Sequence, residues 1–149
     1  MSAPVDQGLH AVARVRDMRE RDSRFGLRIA LEEQRAREAK ARRHLEQLEQ
    51  ASMFESGSAQ DFQAGRAALT LLSAALTRAQ HSVASGRIVT EAARDHWQSD
   101  KTRLNAVQML LERRAALREA EAEHARAKEL DDIGTRLWLR RRSQAGEVL

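Results

Sequence analysis

The side chains that could ligate a metal or transfer protons are five histidines and 22 aspartates and glutamates. The histidines never occur four residues apart or in an H-E-x-x-H arrangement, the spacing that places two ligands on one helical face: His10, His44, His81, His96 and His124. The carboxylates are interleaved with arginine, as in ion pairs on helix surfaces. The spacing therefore predicts no catalytic residue and no metal site.

The sequence also lacks the residues for thiol chemistry and the motif of a phosphate-binding loop. The chain has no cysteine, which removes thiol nucleophiles, disulfides and cysteine-bound metals. Gly57 and Gly65 lack the strand–loop–helix context and the Lys-Ser/Thr pair of a phosphate-binding loop. We therefore expect a protein that is not an enzyme, with no cofactor and no small-molecule substrate.

The histidines and carboxylates are predicted to lie on long helices. Charged residues make up 32% of the 149 residues and aromatic residues 3%, and the one proline is Pro4. This composition is typical of long helices and coiled coils. Disorder is the alternative for so charged a chain, but a hydrophobic content of 42% at helical spacing favours helix.

One break divides the helical pattern. Residues 52–58 (SMFESGS) read as a turn, and Ser58 followed by Asp61 has the form of a helix start, in which the serine hydroxyl accepts from the Asp61 amide. The predicted fold is all-α, a long antiparallel two-helix coiled-coil hairpin. It forms a single coiled-coil domain, residues 1–149, with a helix at about 8–51, a turn at 52–58, a helix at about 59–142 and a tail at 143–149.

Each predicted helix carries a seam that alternates steps of three and four residues, the period of a left-handed coiled coil. The first seam is Leu27, Leu31, Gln34, Glu38, Ala41, Leu45 and Leu48. The second is Leu69, Leu72, Leu76, Ala79, Val83, Gly86, Thr90, Ala93, Trp97, Asp100, Leu104, Val107 and Leu111.

The second helix is predicted to outrun the first. With the turn centred near Glu55, residue i faces roughly residue 110 − i, so about 40 residues, or about 60 Å, overhang without a partner in the chain. Leu130, Ile133 and Leu137 form an apolar strip there, with Trp138 and Leu139 beside it and Arg140–Arg142 at the end. An apolar strip on a lone helix marks an interaction surface.

The net charge of +4 is concentrated near the start of the chain. Residues 11–43 hold eleven basic and six acidic residues. Because basic and acidic residues are interspersed at helical spacing, the simplest interpretation is a solvated helix face. Contact with an acidic partner and nucleic-acid binding are the alternatives. The stretch offers few aromatic platforms for stacking bases, which weakens the nucleic-acid alternative.

The first residues lack the basic patch and apolar core of a signal peptide, and no apolar run approaches the roughly 20 residues that span a bilayer. We expect a cytoplasmic protein whose contact with a membrane is peripheral.

Four motifs in order carry a resemblance to a known family. They are residues 21–27 (RDSRFGL), 58–63 (SAQDFQ), 95–98 (DHWQ) leading into 110–114 (LLERR), and 128–133 (KELDDI) before an arginine-rich end. Taken together, along nearly the whole chain, they resemble the FliJ family of flagellar type III export proteins.

The resemblance implies a stalk-like component of the flagellar export apparatus at the cytoplasmic face of the membrane. Its partners would be the hexameric export ATPase, the export-gate membrane protein and export chaperones, and no nucleic acid. For the ATPase end we expect Leu130, Ile133, Leu137, Trp138 and Arg140, with a frayed tail as the competing interpretation. By matching position, the gate end would be Ala68, Leu72, Ala75 and Ala79. Leu72 and Ala79 are also seam positions, so packing between the helices is the competing interpretation for them.

Three other functions remain open at this point. A generic coiled-coil scaffold that dimerises through its overhang would show the same pattern, and an injectisome stalk protein would share the architecture. A basic nucleic-acid-binding helix at residues 11–43 is the third alternative.

Overall fold

A computed structural model describes the backbone of residues 4–51 and 56–146. It contains two helices, α1 (Pro4–Ala51) and α2 (Ala59–Gly146), and no strand in those ranges. The all-α class and the pairing of two long helices are confirmed. Residues 52–55 of the predicted turn and residues 147–149 of the predicted tail lie outside the described residues.

Both helices extend further than the sequence pattern indicated. α1 begins at Pro4 instead of residue 8, in keeping with the preference of proline for the first helical position, where its missing N–H costs nothing. α2 continues to Gly146, past residue 142.

The start of α2 is fixed by Ser58 and Asp61. The Asp61 amide donates to Ser58 Oγ over 3.2 Å, and the Ser58 amide donates to Asp61 Oδ2 over 3.0 Å. Each side chain thus caps an amide that has no partner within the helix. The Ser58 hydroxyl also donates to Asp61 Oδ2, and these hydrogen bonds lower the pKa of Asp61 below its ordinary value of 3.8.

The chain divides into two compact units. The long unit is residues 14–104, and the terminal unit is residues 1–13 with 105–149. The prediction of a single domain stays a prediction.

In the long unit α1 and α2 run antiparallel, and the α2 seam predicted from the sequence faces α1. Every seam position of α2 from Leu69 to Leu104 is buried or half-buried. The α1 seam is half-buried or buried except at Leu45, which is exposed while His44 beside it is half-buried. The prediction for Leu45 was wrong because its seam position is taken by the neighbouring residue, one-quarter turn away.

Close polar contacts join the two helices of the long unit. Trp97 Nε1 donates to Glu20 Oε1 over 2.8 Å, and Thr90 Oγ1 donates to the Ala30 carbonyl over 3.3 Å. At Gly86 a Cβ would clash with Gln34 Oε1 and lie 2.6 Å from Arg37 Nη1. Glycine therefore allows these two side chains to lie against α2 at this level.

These contacts correct the predicted register. In the predicted register the numbers of two facing residues add up to about 110. Thr90 faces Ala30 and Gly86 faces Gln34, so in the structure they add up to about 120. Ala51, the last residue of α1, therefore lies near the level of Leu69, and the first turns of α2 have no α1 residue opposite them. The prediction assumed a symmetric turn, whereas the interlocking of small and polar seam residues sets the register.

In the terminal unit the start of α1 is tied to α2 by one buried carboxylate. Asp6 is 2% exposed and accepts from Arg114 Nη1 over 3.3 Å and from Arg118. From Ala115 to Gly146 every residue is exposed. The unpartnered end of α2, residues 119–146, is called the overhang below; at about 28 residues and about 42 Å it is shorter than predicted. No stretch of α1 or α2 in the described residues has the length and apolar character needed to cross a bilayer.

Candidate partner-binding surfaces

The overhang carries the apolar strip that the sequence indicated. Leu130, Ile133 and Leu137 are separated by three and four residues and therefore share one face of α2. Their exposed fractions are 69%, 52% and 49%. A face with this much apolar surface and no cover within the described residues is suited to binding another protein.

Trp138 and Arg140 extend the strip towards the end of α2. Trp138 is 56% exposed, and the guanidinium of Arg142 lies 5.1 Å from its ring centroid, a cation–π contact. Leu139 is equally exposed but lies about 200° around the helix from Leu137, on the opposite face. The end of the overhang is thus an aromatic and apolar face bordered by arginines.

The residues predicted for the gate end do not form one exposed patch in the long unit. Ala68 is exposed, Leu72 and Ala75 are half-buried, and Ala79 is 6% exposed. Leu72 and Ala79 lie in the seam against α1, while Ala68 and Ala75 lie along its edge. A partner at this position could reach Ala68 directly and the half-buried Leu72 and Ala75 in part, whereas Ala79 is covered.

A groove of about 620 Å³ lies between α1 and α2 in the long unit. Its small and apolar lining residues include Gly26, Ile29, Ala30, Val89 and Ala93. Its ionisable lining residues carry both charge signs: Arg19, Asp22, Glu33, His96, Asp100 and Arg103. The buried Asp100 lies 3.5 Å from His96 Nε2 and 3.8 Å from Arg103 Nη1, so much of this charge is compensated inside the groove.

A second, smaller pocket in the long unit has rim charges of one sign. It measures about 290 Å³ and is lined by Arg37, Lys40, His44, Ala75, Arg78, Ala79 and Ser82; we call it the basic pocket. The sequence analysis included Arg37 and Lys40 in its basic stretch but missed Arg78. The signal that could have found it is the absence of any acidic residue from Phe62 to Thr90 on the facing helix.

The basic stretch at residues 11–43 is partly neutralised along α1. Asp17 pairs with Arg21 at 2.8 Å, Glu20 with Arg24 at 3.3 Å, and Glu33 with Arg37 at 3.8 Å, each at four-residue spacing. Such pairs are typical of a solvated helix face and contribute little individually.

The sequence predicted no catalytic, cofactor-binding or metal-binding residue, and these stay predictions. Across the described ranges no three histidine, aspartate or glutamate side chains come together to hold a metal ion.

Comparison with known proteins identifies the family. A family model described as "Flagellar FliJ protein" matches residues 9–143. No curated protein matches the chain, and no solved structure matches it. The match covers almost all of the two helices and includes the positions of the four motifs. The chain belongs to the FliJ family, whose members act in flagellar protein export as structural or escort proteins.

Proposed function

We propose that the protein is a stalk of the flagellar export apparatus that inserts the end of its overhang into the pore of the hexameric export ATPase. The strip of Leu130, Ile133 and Leu137, with Trp138 and Arg140, would line the contact. The family match supports a flagellar system over an injectisome.

The observation that supports this proposal best is the exposure of the whole overhang. A lone helix of this length gains no packing energy from its own chain, and helical stability in proteins comes mainly from such packing. Its apolar face gains that energy when a partner covers it, at about 25 cal/mol per Å² of apolar surface removed from water. A ring whose pore wall packs against this face can cover the strip together with the exposed arginines beside it.

The long unit would contact the export-gate membrane protein through Ala68, Leu72, Ala75 and Ala79. The half-buried Leu72 and Ala75 and the exposed Ala68 support a shallow contact along the seam edge. We place the protein in the cytoplasm, peripheral to the membrane through these partners. Recycling of export chaperones would be a further role of the same molecule.

The test is the hydrolysis rate of the flagellar export ATPase with and without this chain. Leu137→Asp places a charge in the strip, and Leu139→Asp places the same charge on the opposite face at a nearly equal exposure, 53% against 49%. Because a carboxylate is costly to bury without a partner, we expect Leu137→Asp to lose stimulation of the ATPase by about tenfold or more. Leu139→Asp and the full chain should stimulate, and a chain of residues 1–129 should not.

Two outcomes would contradict the stalk proposal. If the full chain neither stimulates the ATPase nor binds it at matched salt, the overhang has another partner. If the mass of the full chain in solution doubles with increasing concentration while a chain of residues 1–129 remains monomeric, the overhang mediates dimerisation and the chain is a dimeric scaffold.

A further inference from the structure

Positive charge is concentrated where the middle of α1 packs on α2 in the long unit. Residues 34–45 of α1 contain five basic residues and one acidic residue, Glu38. The facing part of α2, from Phe62 to Thr90, contains three arginines and no acidic residue. The two helices thus bring like charge together across their seam.

The basic pocket lies within this region and is shaped by small residues. Ala75, Ala79 and Ser82 leave room between the helices, and Arg37, Lys40, His44 and Arg78 surround that room. None of the lining residues is acidic. The long side chains carry their charges at the ends of flexible apolar stems, so they can converge on a ligand in the pocket.

The charge of the basic pocket is only partly balanced within the chain. Glu38 accepts from Gln34 Nε2 over 2.8 Å and pairs with Arg87 at 3.7 Å. Arg37 has Glu33 at 3.8 Å. Lys40 and Arg78 have no carboxylate of the described residues within the 4.0 Å of an ion pair. Two cations of the pocket therefore have their full charge available to a ligand.

We propose that the basic pocket binds an acidic segment of a protein partner, whose aspartate or glutamate side chains enter between Arg37, Lys40 and Arg78. Ala75 and Ala79 belong to the predicted gate contact, so the identity of the partner rests on the proposed function, whereas the acidic chemistry rests on the pocket alone. Arginine forks and a lysine ammonium match carboxylates through charge-assisted hydrogen bonds.

The shape and composition of the pocket favour a peptide over other polyanions. The pocket is a concavity of about 290 Å³ between two helices, which a flat lipid surface would touch only at the rim. Its lining has no aromatic side chain on which a nucleic-acid base could stack. A side chain of an extended or helical segment reaches into such a concavity from outside.

The experiment measures binding of a short glutamate-rich peptide to the full chain, with a glutamine-rich peptide of the same length as the neutral probe. The variants are Lys40→Glu and Arg78→Glu. Arg94→Glu is the matched control, because Arg94 is an exposed arginine of α2 that also lacks an ion pair with the described residues and lies outside the pocket. Retained helicity and an unchanged unfolding midpoint establish that each variant is folded.

We expect the acidic peptide to bind and the neutral peptide not to bind, with an affinity that falls as salt rises. Lys40→Glu and Arg78→Glu should each weaken binding by about tenfold, since reversal replaces an attraction with a repulsion. Arg94→Glu should change the affinity by less than about twofold.

Three results would overturn the proposal: no binding of the acidic peptide, an equal loss in Arg94→Glu, or tighter pocket-dependent binding of single-stranded RNA or of vesicles rich in phosphatidylserine. Binding of the cytoplasmic part of the export-gate protein is measured in parallel. If that protein binds and the charge reversals leave its affinity unchanged, the gate contact stands and the gate protein is not the partner of the basic pocket. If the peptide binds and the gate protein does not, the pocket stands and the gate contact fails.

Discussion

Two segments of α2 use leucine in opposite ways. In the long unit the seam leucines face α1, and Leu104 is 8% exposed. In the overhang Leu130 is 69% exposed, and no ion pair within 4.0 Å involves the described residues 119–146. The leucine content of a helix therefore does not show whether packing stabilises it. A second helix whose seam residues pack against those leucines does.

The difference explains what each segment contributes. The packed segment supplies the free energy that holds the helices together, through small apolar contacts and polar contacts such as Trp97 with Glu20. The overhang leaves its apolar surface to a partner. A change in the first segment should therefore alter unfolding, and a change in the second should alter binding.

The largest expected effect on unfolding comes from a matched pair of leucines. Leu104→Ala should lower the free energy of unfolding by about 2 to 3 kcal/mol, because it removes buried methyl groups and leaves a cavity. Leu130→Ala should change it by less than about 0.5 kcal/mol, since the side chain is mostly exposed. Urea unfolding followed by circular dichroism checks both, and equal losses would remove the basis of the comparison.

In the terminal unit, Asp6→Asn should detach the start of α1 from α2. The substitution removes the negative charge that Arg114 and Arg118 contact, and we expect a local loss of about 1 to 2 kcal/mol. Hydrogen exchange of the amides from residue 7 to residue 13 measures this opening.

The control for Asp6 is Asp17→Asn, which breaks a pair with Arg21 on the helix surface and should cost less than about 0.5 kcal/mol. Unchanged exchange in Asp6→Asn would mean that the buried carboxylate does not hold the two helices together in this unit.

The two tryptophans give a smaller contrast. Trp97→Phe keeps the ring but removes the indole N–H that donates to the buried Glu20, and should cost about 1 kcal/mol. Trp138→Phe removes an exposed N–H with no partner in the described residues and should leave unfolding almost unchanged. Thermal unfolding of both variants checks the contrast, and a larger loss for Trp138→Phe would reverse it.

The smallest effect concerns the start of α2 and is best measured as a pKa. The hydrogen bonds from Ser58 lower the pKa of Asp61, so the capping contribution is fully present above 3.8 and is lost as pH falls through the lowered pKa. Ser58→Ala should raise the pKa of Asp61 towards 3.8, as measured by NMR titration. An unchanged pKa would show that the serine does not stabilise the carboxylate.

The sequence predicted the periodic part of the fold well. The α2 seam from Leu69 onward, the helix start at Ser58 and the exposed strip at Leu130 all follow from local spacing. The register did not, because it depends on which residues meet across the seam, and Gly86 meets Gln34 for reasons of shape that one helix cannot reveal. For the same reason Arg78 could not be placed beside Lys40 until the two helices were paired.

We infer that the packed segment of α2 has its partner in the same chain, in α1, whereas the overhang has its partner in another protein. Hydrogen exchange of the full chain with and without the export ATPase tests this difference most directly. In the free protein we expect slow exchange in the packed residues from Leu69 to Leu104 and fast exchange in residues 119–146. Addition of the ATPase should slow exchange from Leu130 to Arg140 and leave the packed segment unchanged. Slow exchange of the overhang in the free protein, or no change when a bound ATPase is present, would contradict the account.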